Sequence, residues 1–247
     1  FDISWSSCDS MVVLCFFFFF KEKTAYEMLR SLVGSEMCIR DSDKLAHYAN
    51  AACDIEFRFP FGFKELEGIH SRTDYDLSRH EEYSGRKLRY FDPETNESYI
   101  PYVVETSIGL DRTFLAVLSS TYREEELEDG ETRVVLRLPH ILAPVKLGVF
   151  PLVKKDGLPE VAQQILKKLR LEHACLYDEK DSIGKRYRRM DAIGTPLCIT
   201  VDHQTLEDNT VTIRDRDTML QDRVPVENLS GILDEKLNNR NWLGKLT

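Results

Sequence analysis

One short string combines acidic and basic residues of the types found in phosphate-binding sites. It is Glu105-Thr106-Ser107-Ile108-Gly109-Leu110-Asp111-Arg112. It follows an apolar run and precedes a helical apolar pattern, so a strand is expected to pass into a helix within it. A glycine at a helix start allows a ligand to approach closely, and a helix N-terminus favours phosphate oxygens. Arg112 lies one turn into that helix, and its side chain leans back toward the N-terminus. The string therefore predicts polyphosphate binding, with surface pairing of Arg112 to Asp111 or a linker glutamate as the alternative.

Two further acids, Glu65 and Glu67, lie in the run Lys64–His70, which is expected to form a strand antiparallel to the run Asp54–Phe59. Because side chains alternate along a strand, both carboxylates are expected on one face. Carboxylates near bound phosphates are suitable ligands for Mg²⁺, a hard cation that prefers oxygen. The sequence therefore offers Glu65 as a metal ligand, and ordinary salt bridges of the two acids to Lys64 or Arg72 as the alternative.

The elements that would position these acids form an α+β region. Helical spacing or composition predicts helices at Asp43–Cys53, Asp74–Tyr83 and Gly109–Tyr122, and a further strand at Tyr99–Glu105. The charged stretch Glu124–Glu131 is expected to be a solvated linker that marks a domain boundary.

Beyond the linker, strands alternate with helices, which predicts a sheet with parallel strand pairs and helices on its faces. The expected elements are strand Pro144–Val153, helix Leu158–Leu169, strand Glu172–Tyr177, helix Ile183–Ala192, strand Pro196–Val201, a hairpin from Asn209–Arg216 and Arg223–Pro225, and helix Val226–Leu237. Six basic residues could form an RNA-facing surface: Lys185, Arg186, Arg188, Arg189, Arg214 and Arg216. Salt bridges to nearby acids are the alternative for each of them.

The composition bounds the function. The chain has 247 residues and a formal net charge of −9, so it cannot hold nucleic acid by bulk electrostatics, and any RNA contact must use local basic patches. Its six cysteines form no C-x-x-C pair, and Cys53, Cys175 and Cys198 stand singly in apolar surroundings. This pattern indicates reduced, buried thiols rather than disulfides or a zinc site. The six histidines have no metal-ligand spacing and are assigned no role.

The first 42 residues differ in character from the rest. The apolar run Met11–Phe20 is too short for a membrane span, which needs about 20 residues, and it lacks the flanks of a signal peptide. The stretch from Phe16 to Ser42 looks like a translated sequencing adapter. Residues 1–42 are therefore expected to be an artefactual or disordered leader, with a genuine N-terminal anchor as the alternative.

Several strings resemble a known enzyme family. ETSIGLDR resembles motif 3 of the class II aminoacyl-tRNA synthetases, in the form found in the single-chain glycyl enzymes. The upstream string DIEFRFPFGFKELEGIHSRTDYDL is similar to the segment that precedes motif 3 in these enzymes. The strings IGKRYRRMDAIGTPLCITVD and TVTIRDRDTM resemble their anticodon-binding domain. The resemblance runs from about Asp43 to the C-terminus.

The resemblance implies a fold and a domain organisation. The fold class would be α/β, or α+β overall, with part of a class II antiparallel sheet and its motif 3 helix followed by an α/β anticodon-binding domain with a mixed sheet. After the leader, the expected domains are residues 43–127 (catalytic part), 128–142 (linker) and 143–247 (anticodon-binding domain).

It also implies roles for individual residues. ATP would contact Glu65, Leu66, Gly109, Leu110, Asp111 and Arg112, with Arg112 as the catalytic residue near the terminal phosphates. Glycine would be bound by Glu105, Thr106, Ser107, Ile108 and Gly109, with Glu67 as a further possible partner of its ammonium group. The six basic residues of the second domain would belong to the tRNA surface, and Glu65 would contact Mg²⁺.

The implied function is the ATP-dependent attachment of glycine to its tRNA through a glycyl-adenylate, by a cytoplasmic homodimer without membrane contact. Motifs 1 and 2 have no counterpart here, so the chain is expected to be a C-terminal fragment with little or no activity alone. One alternative is a synthetase-like subunit that only binds nucleic acid. The other is a related class II synthetase for threonine or proline.

Overall fold

The computed structural model describes residues 37–41, 45–127 and 130–238. The chain divides into two compact units between Ser120 and Thr121. The charged stretch that the sequence analysis interpreted as a linker contributes instead to a strand, β7 (Tyr122–Glu126), which pairs antiparallel with β8 (Thr132–Leu136). That interpretation was wrong because glutamates on an exposed hairpin can face water while their backbone pairs, and composition does not report the pairing.

The first unit is built on a four-stranded antiparallel sheet. Its strands are β1 (Met37–Asp41), β2 (Ala51–Phe59), β3 (Gly62–Ser71) and β6 (Val104–Ile108), in the spatial order β1-β2-β3-β6. Between β3 and β6 lie helix α1 (Tyr75–Ser84) and a small hairpin of β4 (Tyr90–Asp92) and β5 (Glu97–Tyr99). Helix α2 (Leu110–Thr121) follows β6.

Two expectations for the first unit were wrong. Residues 51–53, placed in a helix by their composition, begin strand β2, where Ala52 and Cys53 are buried and pair with β3. Tertiary pairing on both sides of β2 outweighs the helical propensity of this alanine-rich stretch. The strand expected at Tyr99–Glu105 is interrupted: β5 ends at Tyr99, and β6 begins only at Val104.

Strand β1 lies inside the segment that the sequence analysis set aside as a leader. Its five residues pair antiparallel with β2, from Met37 opposite Phe57 to Asp41 opposite Cys53. Residues 1–36 and 42–44 of that segment and its junction lie outside the described residues.

The second unit contains a five-stranded mixed sheet. Its strands are β9 (Leu147–Pro151), β10 (Cys175–Tyr177), β11 (Leu197–Val201), β12 (Thr210–Asp215) and β13 (Gln221–Pro225), in the order β10-β9-β11-β12-β13. Strand β9 is parallel to its neighbours β10 and β11, whereas β12 is antiparallel to β11 and β13 is antiparallel to β12. The predicted mixed sheet is thereby confirmed.

Four helices accompany this sheet. They are α3 (Leu158–Leu169), α4 (Ile183–Ala192), α5 (His203–Asp208) and α6 (Leu229–Leu237), the last preceded by a 3-10 turn at Val226–Asn228. The bounds of α3 and α4 confirm the prediction. Helix α5 was not predicted from the sequence; it begins with a capping box in which Asp202 and Thr205 exchange hydrogen bonds.

The core of the second unit explains its apolar patterning. Leu147, Val149, Leu197 and Ile199 of the central strands are fully buried and pack with buried residues of α3 and α6. The free thiols of Cys53, Cys175 and Cys198 are also buried, as expected for reduced cysteines. Burial raises the pKa of the Cys175 thiol to about 11 and that of Cys198 to about 12, so neither is a reactive thiolate at neutral pH.

The helices of both units are short. The longest described ones, α2 and α3, have 12 residues each. Within the described ranges, no helix combines the length and apolar character needed to cross a bilayer.

Gly148 in strand β9 offers a test of this packing. A Cβ added at Gly148 would lie 2.6 Å from Cζ of Phe150 and 3.1 Å from Cγ of Met190, so Gly148→Ala must displace buried groups. We expect a loss of about 1–3 kcal/mol in the free energy of unfolding, measured with urea. Gly184→Ala is the matched control, because a Cβ in helix α4 would meet nothing within 4 Å. Equal free energies of unfolding in the two variants would contradict the close packing described around Gly148.

Candidate active site

The predicted strand-to-helix junction lies against a distortion in its neighbouring strand. In the pairing of β2 with β3, Ile55 is opposite Glu67 and Glu56 is opposite Glu65, so Leu66 is an extra residue that forms a β-bulge. The backbone N–H of Gly109 donates to the Leu66 carbonyl at 3.4 Å, and Nη1 of Arg112 donates to the Glu65 carbonyl at 2.5 Å. The bulge and the junction are therefore joined by two hydrogen bonds.

Arg112 has the orientation that its position in the helix predicts. Its side chain passes back over Gly109, where an added Cβ would lie 3.5 Å from Cβ of Arg112. The guanidinium reaches β3, where Nη1 is 4.0 Å from Oε2 of Glu65, and the side chain remains 53% exposed. It is thus held beside Glu65 while most of its donors stay open to a ligand.

The bulge overturns the expectation that Glu65 and Glu67 share a face. Cross-strand partners point to the same face, and the adjacent residues Ile55 and Glu56 of β2 point to opposite faces. Glu65 therefore lies on the Glu56 face, and Glu67 lies on the face of Ile55. The inserted residue shifts the alternation, a change that the sequence pattern does not reveal.

The same pairing divides the predicted glycine-binding residues between the two faces of the sheet. Glu105 is opposite His70 and Ser107 is opposite Gly68, so both lie on the face that carries Glu65. Thr106 and Ile108 point to the other face, together with Glu67. The structure therefore brings Glu65, Glu105 and Ser107 to one face, with Arg112 beside Glu65.

Glu105 is held by Arg72, which the sequence had suggested only as a possible salt-bridge partner of Glu65 or Glu67. Nη1 of Arg72 donates to Oε2 of Glu105 at 2.5 Å, while Nε and Nη2 of the same guanidinium donate to Asp76 at 2.5 and 3.0 Å. The guanidinium also lies 4.0 Å from the ring centroid of Tyr48. The bonds to Asp76 and Glu105 raise the pKa of Arg72, so it stays charged. The spacing of four residues between Arg72 and Asp76 at the start of α1 was the available signal.

Glu67 is a buried carboxyl with one free oxygen. It is 2% exposed, and its Oε1 accepts a hydrogen bond from the Thr106 hydroxyl. Its Oε2 has no partner within the described part of the chain. Burial raises the pKa of this carboxyl, and the bond from Thr106 offsets the effect only in part. Glu67 therefore lies buried on the face of the sheet opposite Glu105.

Metal binding would depend on few protein ligands. Among the described residues, no group of three or more His, Cys, Asp or Glu side chains could hold a metal ion. Glu65 has an exposed carboxylate on the face that also carries Glu105 and Ser107, whereas Glu67 lies on the opposite face. Mg²⁺ usually keeps several waters and binds substrate phosphates with one or two carboxylates, so Glu65 fits that ion as a single protein ligand.

In the second unit, three of the six predicted RNA-binding residues are buried. Arg186 is 2% exposed and donates to backbone carbonyls, including those of Pro151 at 2.5 Å and Asp181 at 2.7 Å. Arg214 is 6% exposed and makes a bidentate pair with Asp191 at 2.9 and 3.0 Å. The assignment of these two to an RNA surface is wrong, because their donors are used inside the protein.

Arg216 is the third buried residue of this set. It is 2% exposed and donates to the Gly194 carbonyl at 2.8 Å and to both carboxylate oxygens of Asp217. The alternation of arginines had suggested an exposed basic strand, but Arg214 in β12 and Arg216 just after it contact acids and carbonyl groups inside the protein. The assignment of Arg216 to an RNA surface is also wrong.

The remaining three basic residues lie on the exposed part of α4. Arg189 pairs with Asp178 at 2.6 Å and Asp181 at 3.0 Å, and Arg188 pairs with Glu131; their side chains are 40% and 43% exposed. Lys185 is exposed, and no ion pair within the described ranges involves it. These three alone are available to a ligand.

Asp191 organises a buried cluster of charges in the second unit. Besides its two bonds from Arg214, its Oδ2 lies 3.3 Å from Nε of Arg133. Arg133 is 1% exposed and also donates to the Arg216 carbonyl at 2.5 Å. The cluster ties the β7–β8 hairpin to α4 and β12, so these basic residues are structural.

Comparison with known proteins adds family information. Residues 146–236 match the family described as anticodon binding domain. The chain is 56% identical over 195 residues to a glycine–tRNA ligase of Chlorobaculum tepidum, covering 79% of this chain and 41% of that protein. It is 54% identical over 197 residues to a glycine–tRNA ligase of Geobacillus kaustophilus, covering 79% and 42%. The chain thus spans less than half the length of these relatives.

Solved structures share the fold. A prolyl-tRNA synthetase of Giardia lamblia in complex with prolyl-adenylate superposes with a TM-score of 0.57 at 19% identity, covering 86% of this chain and 43% of that one. A prolyl-tRNA synthetase of Cryptosporidium parvum, complexed with L-proline and AMP, gives 0.59 at 15% identity, covering 90% and 46%. The predicted class II synthetase fold is thereby confirmed.

The buried Glu67 carboxyl provides a pH test. Because its folded-state pKa is raised, the protonated form is favoured in the fold, and ionisation costs stability as the pH rises through that pKa. Glu67→Gln is therefore expected to be more stable than the parent at pH 7, by about 1.4 kcal/mol for each unit of pKa elevation. The gap should close below pH 4.5, where the unfolded-state carboxyl is also protonated. Urea unfolding measures it.

The exposed Glu65→Gln controls for the loss of one charge in this test. An equal gain in the free energy of unfolding at pH 7 in both variants would contradict the assignment of a carboxylate destabilised by burial. A difference between Glu67→Gln and the parent that does not depend on pH would contradict it as well.

The charge cluster provides a second test. Asp191→Ala leaves Arg133 and Arg214 buried without their shared carboxylate, so we expect a loss of about 3–5 kcal/mol in the free energy of unfolding. Asp222→Ala, which breaks an exposed pair with Lys236, should cost about 1 kcal/mol or less. Similar losses in the two variants, measured by urea denaturation, would exclude a structural role for the cluster.

Proposed function

We propose that this chain belongs to the glycine–tRNA ligase family and is part of an enzyme that attaches glycine to its tRNA in two steps. In the first step, the glycine carboxylate attacks the α-phosphorus of ATP, an oxygen–phosphorus bond forms, and pyrophosphate leaves. In the second, a hydroxyl of the tRNA's terminal ribose attacks the adenylate carbonyl, and AMP leaves. The identity of 50–56% to ligases of that name supports the proposal.

The single observation that carries the proposal is the shared face of the bulged strand and its neighbour. Glu65, Glu105 and Ser107 lie on one face, and Arg112 is bonded to the bulge at its edge. An acid site and a cationic site for phosphates therefore lie side by side. Adenylation requires that arrangement, because an ammonium group and a triphosphate must be held together with reacting atoms in contact.

The acid part of this face is suited to glycine. Glu105 offers a carboxylate to the substrate ammonium, and Ser107 adds a hydrogen-bonding hydroxyl. Arg72 restricts the Glu105 carboxylate to one orientation and is proposed as a positioning residue. Glycine has no side chain to grip, so selection would rest on a pocket too small for larger amino acids. Rejecting a larger rival by overlap is efficient, and no editing site is required.

The cationic part is suited to ATP. Arg112 would neutralise charge on the terminal phosphates, and the first turn of α2, Gly109 to Asp111, would border the nucleotide. Glu65 of the bulge would contact it from the sheet, whereas Leu66, expected to do so as well, is 1% exposed and is not available to a nucleotide. When bound, Mg²⁺ would neutralise phosphate charge, with Glu65 as its protein ligand.

The second unit is proposed to bind the tRNA. The match to the anticodon binding domain family supports this role. Lys185, Arg188 and Arg189 are the exposed members of the predicted basic set, and phosphate contacts from them would position the RNA while unstacked bases are read individually. By analogy with the family, we also propose that the complete protein acts as a homodimer in the cytoplasm.

The alternatives have weaker support. A subunit that only binds nucleic acid would not need Glu65, Glu105, Ser107 and Arg112, all of which are present. The prolyl synthetases resemble the chain at 19% and 15% identity, which concerns the fold alone. The high identity to glycine–tRNA ligases favours glycine over proline or threonine.

The test uses a full-length ligase in which residues 45–247 of this chain replace the matching part of the Chlorobaculum tepidum relative, called the hybrid ligase below. Its ATP–pyrophosphate exchange should depend on glycine and not on threonine or proline. Arg112→Ala should lower the exchange rate by about 10²- to 10³-fold, because it removes a cation that stabilises developing phosphate charge.

Arg79→Ala is the matched control, since it removes an exposed arginine paired with Glu82 on α1 and should leave the exchange rate unchanged. Normal exchange in Arg112→Ala would refute the role of this residue. Exchange with none of the three amino acids would favour the binding-only alternative.

A further inference from the structure

Three charged side chains form a continuous network that ends at the proposed glycine site: Asp76, Arg72 and Glu105. Nε and Nη2 of Arg72 donate to the two carboxylate oxygens of Asp76, at 2.5 and 3.0 Å. Nη1 donates to Oε2 of Glu105 at 2.5 Å. Asp76 therefore binds the guanidinium in bidentate geometry, the more directional form of this pair, whereas Glu105 accepts one bond from it.

The charges of this network do not cancel. The bonds to its two carboxylate partners raise the pKa of Arg72, and the bond with Arg72 holds the pKa of the Asp76 carboxyl below its usual range. Asp76 also lies in the first turn of α1, where the helix dipole favours an acid. Two carboxylates and one guanidinium leave one net negative charge. Because Asp76 neutralises the arginine, that charge remains at Glu105, which is 39% exposed.

The backbone fixes Arg72 beside the strand that carries Glu105. The N–H of Arg72 donates to the Val103 carbonyl at 2.9 Å, and the N–H of Val103 donates to the Thr73 carbonyl at 2.8 Å. Thr73, at the turn between β3 and α1, has a φ of 55°, a left-handed conformation that is unusual for a β-branched residue. Such a conformation persists only where the surrounding contacts determine it, so the turn between Arg72 and Asp76 is tightly specified.

The Tyr48 ring restrains the same guanidinium. Its centroid lies 4.0 Å from Cζ of Arg72, within the range of a cation–π contact. The Tyr48 carbonyl also accepts the Thr73 hydroxyl at 3.3 Å, which ties this segment to the turn. The arginine is thus held by a ring and a bidentate carboxylate before it meets Glu105, and its side chain is only 22% exposed.

We propose that Asp76 is a positioning residue for glycine, an inference that rests on the proposed function. Asp76 acts through Arg72, which orients the Glu105 carboxylate without cancelling its charge. The substrate ammonium group then meets a carboxylate that is negatively charged and has little freedom to lose on binding. The Tyr48 ring contributes to the same restraint. A salt bridge that only stabilises the start of α1 is the alternative that the test must separate.

The test measures glycine-dependent ATP–pyrophosphate exchange by the hybrid ligase. Asp76→Asn keeps the size of the side chain but removes its charge, which leaves Arg72 as an unbalanced cation beside Glu105. We expect the KM for glycine to rise about three- to tenfold, because the site loses both restraint and net negative charge. The KM for ATP and kcat should stay within about twofold of the parent, because the ammonium contact is made equally in the ground state and the transition state.

Asp74→Asn is the matched control. It removes the same charge from the same turn, but the Asp74 carboxylate accepts the Ser78 hydroxyl at 3.2 Å, whereas the three bonds of the Arg72 guanidinium go to Asp76 and Glu105. Its KM for glycine should equal that of the parent. Asp76→Glu retains the charge and should lie between the parent and Asp76→Asn. An equal rise in Asp74→Asn, or a Glu variant as weak as the Asn variant, would overturn the inference.

The contribution of the ring is measured in the same assay. Tyr48→Leu keeps apolar bulk but removes the π-face, and should raise the KM for glycine about two- to fivefold. Tyr48→Phe keeps the face and should recover the affinity lost in Tyr48→Leu. A Phe variant as weak as the Leu variant would exclude the cation–π contact as the source of the effect.

The parent hybrid ligase separates this inference from the proposed function. Absence of glycine-dependent exchange in the parent would overturn the function itself. Exchange in the parent, together with an unchanged KM for glycine in Asp76→Asn, would overturn the positioning role of Asp76 alone.

Discussion

The bulge at Leu66 is the constraint on which the candidate active site depends. By inserting one residue into β3, it turns Glu65 to the face that holds Glu105 and Ser107 and leaves Glu67 on the buried face. It also presents the carbonyl groups of residues 65 and 66 to the strand-to-helix junction, where the backbone of Gly109 and the guanidinium of Arg112 bond to them. One local irregularity thus aligns the acid and cationic parts of the face.

On that face, the carboxylate of Glu105 is restrained by a neighbouring arginine. Arg72 holds Glu105 and is in turn held by Asp76 and the Tyr48 ring. Such support reduces the freedom that a binding carboxylate must lose when the ligand arrives, which is the physical basis of preorganisation. This principle is the reason for proposing Arg72 as a positioning residue.

The second unit uses its arginines differently from what their clustering suggests. Arg186, Arg214 and Arg216 satisfy carbonyl groups and carboxylates inside the protein, because a buried guanidinium must have its donors paired. Of the six basic residues predicted to face RNA, the three on the exposed side of α4 remain at the surface. For an acidic chain of net charge −9, RNA binding by this unit would depend on few contacts and on shape.

The sequence by itself determined the helices α3 and α4 and the strand-to-helix junction at Gly109, because periodicity and short motifs are local properties of the chain. Tertiary structure alone decided that residues 51–53 form a strand, that Glu65 and Glu67 face apart, and that three arginines are buried. Each of these outcomes depends on which backbone segment lies alongside, as with Asp191, which is distant in sequence from both Arg133 and Arg214. A residue pattern specifies side-chain spacing along one element, whereas register, burial and charge pairing arise only when elements meet.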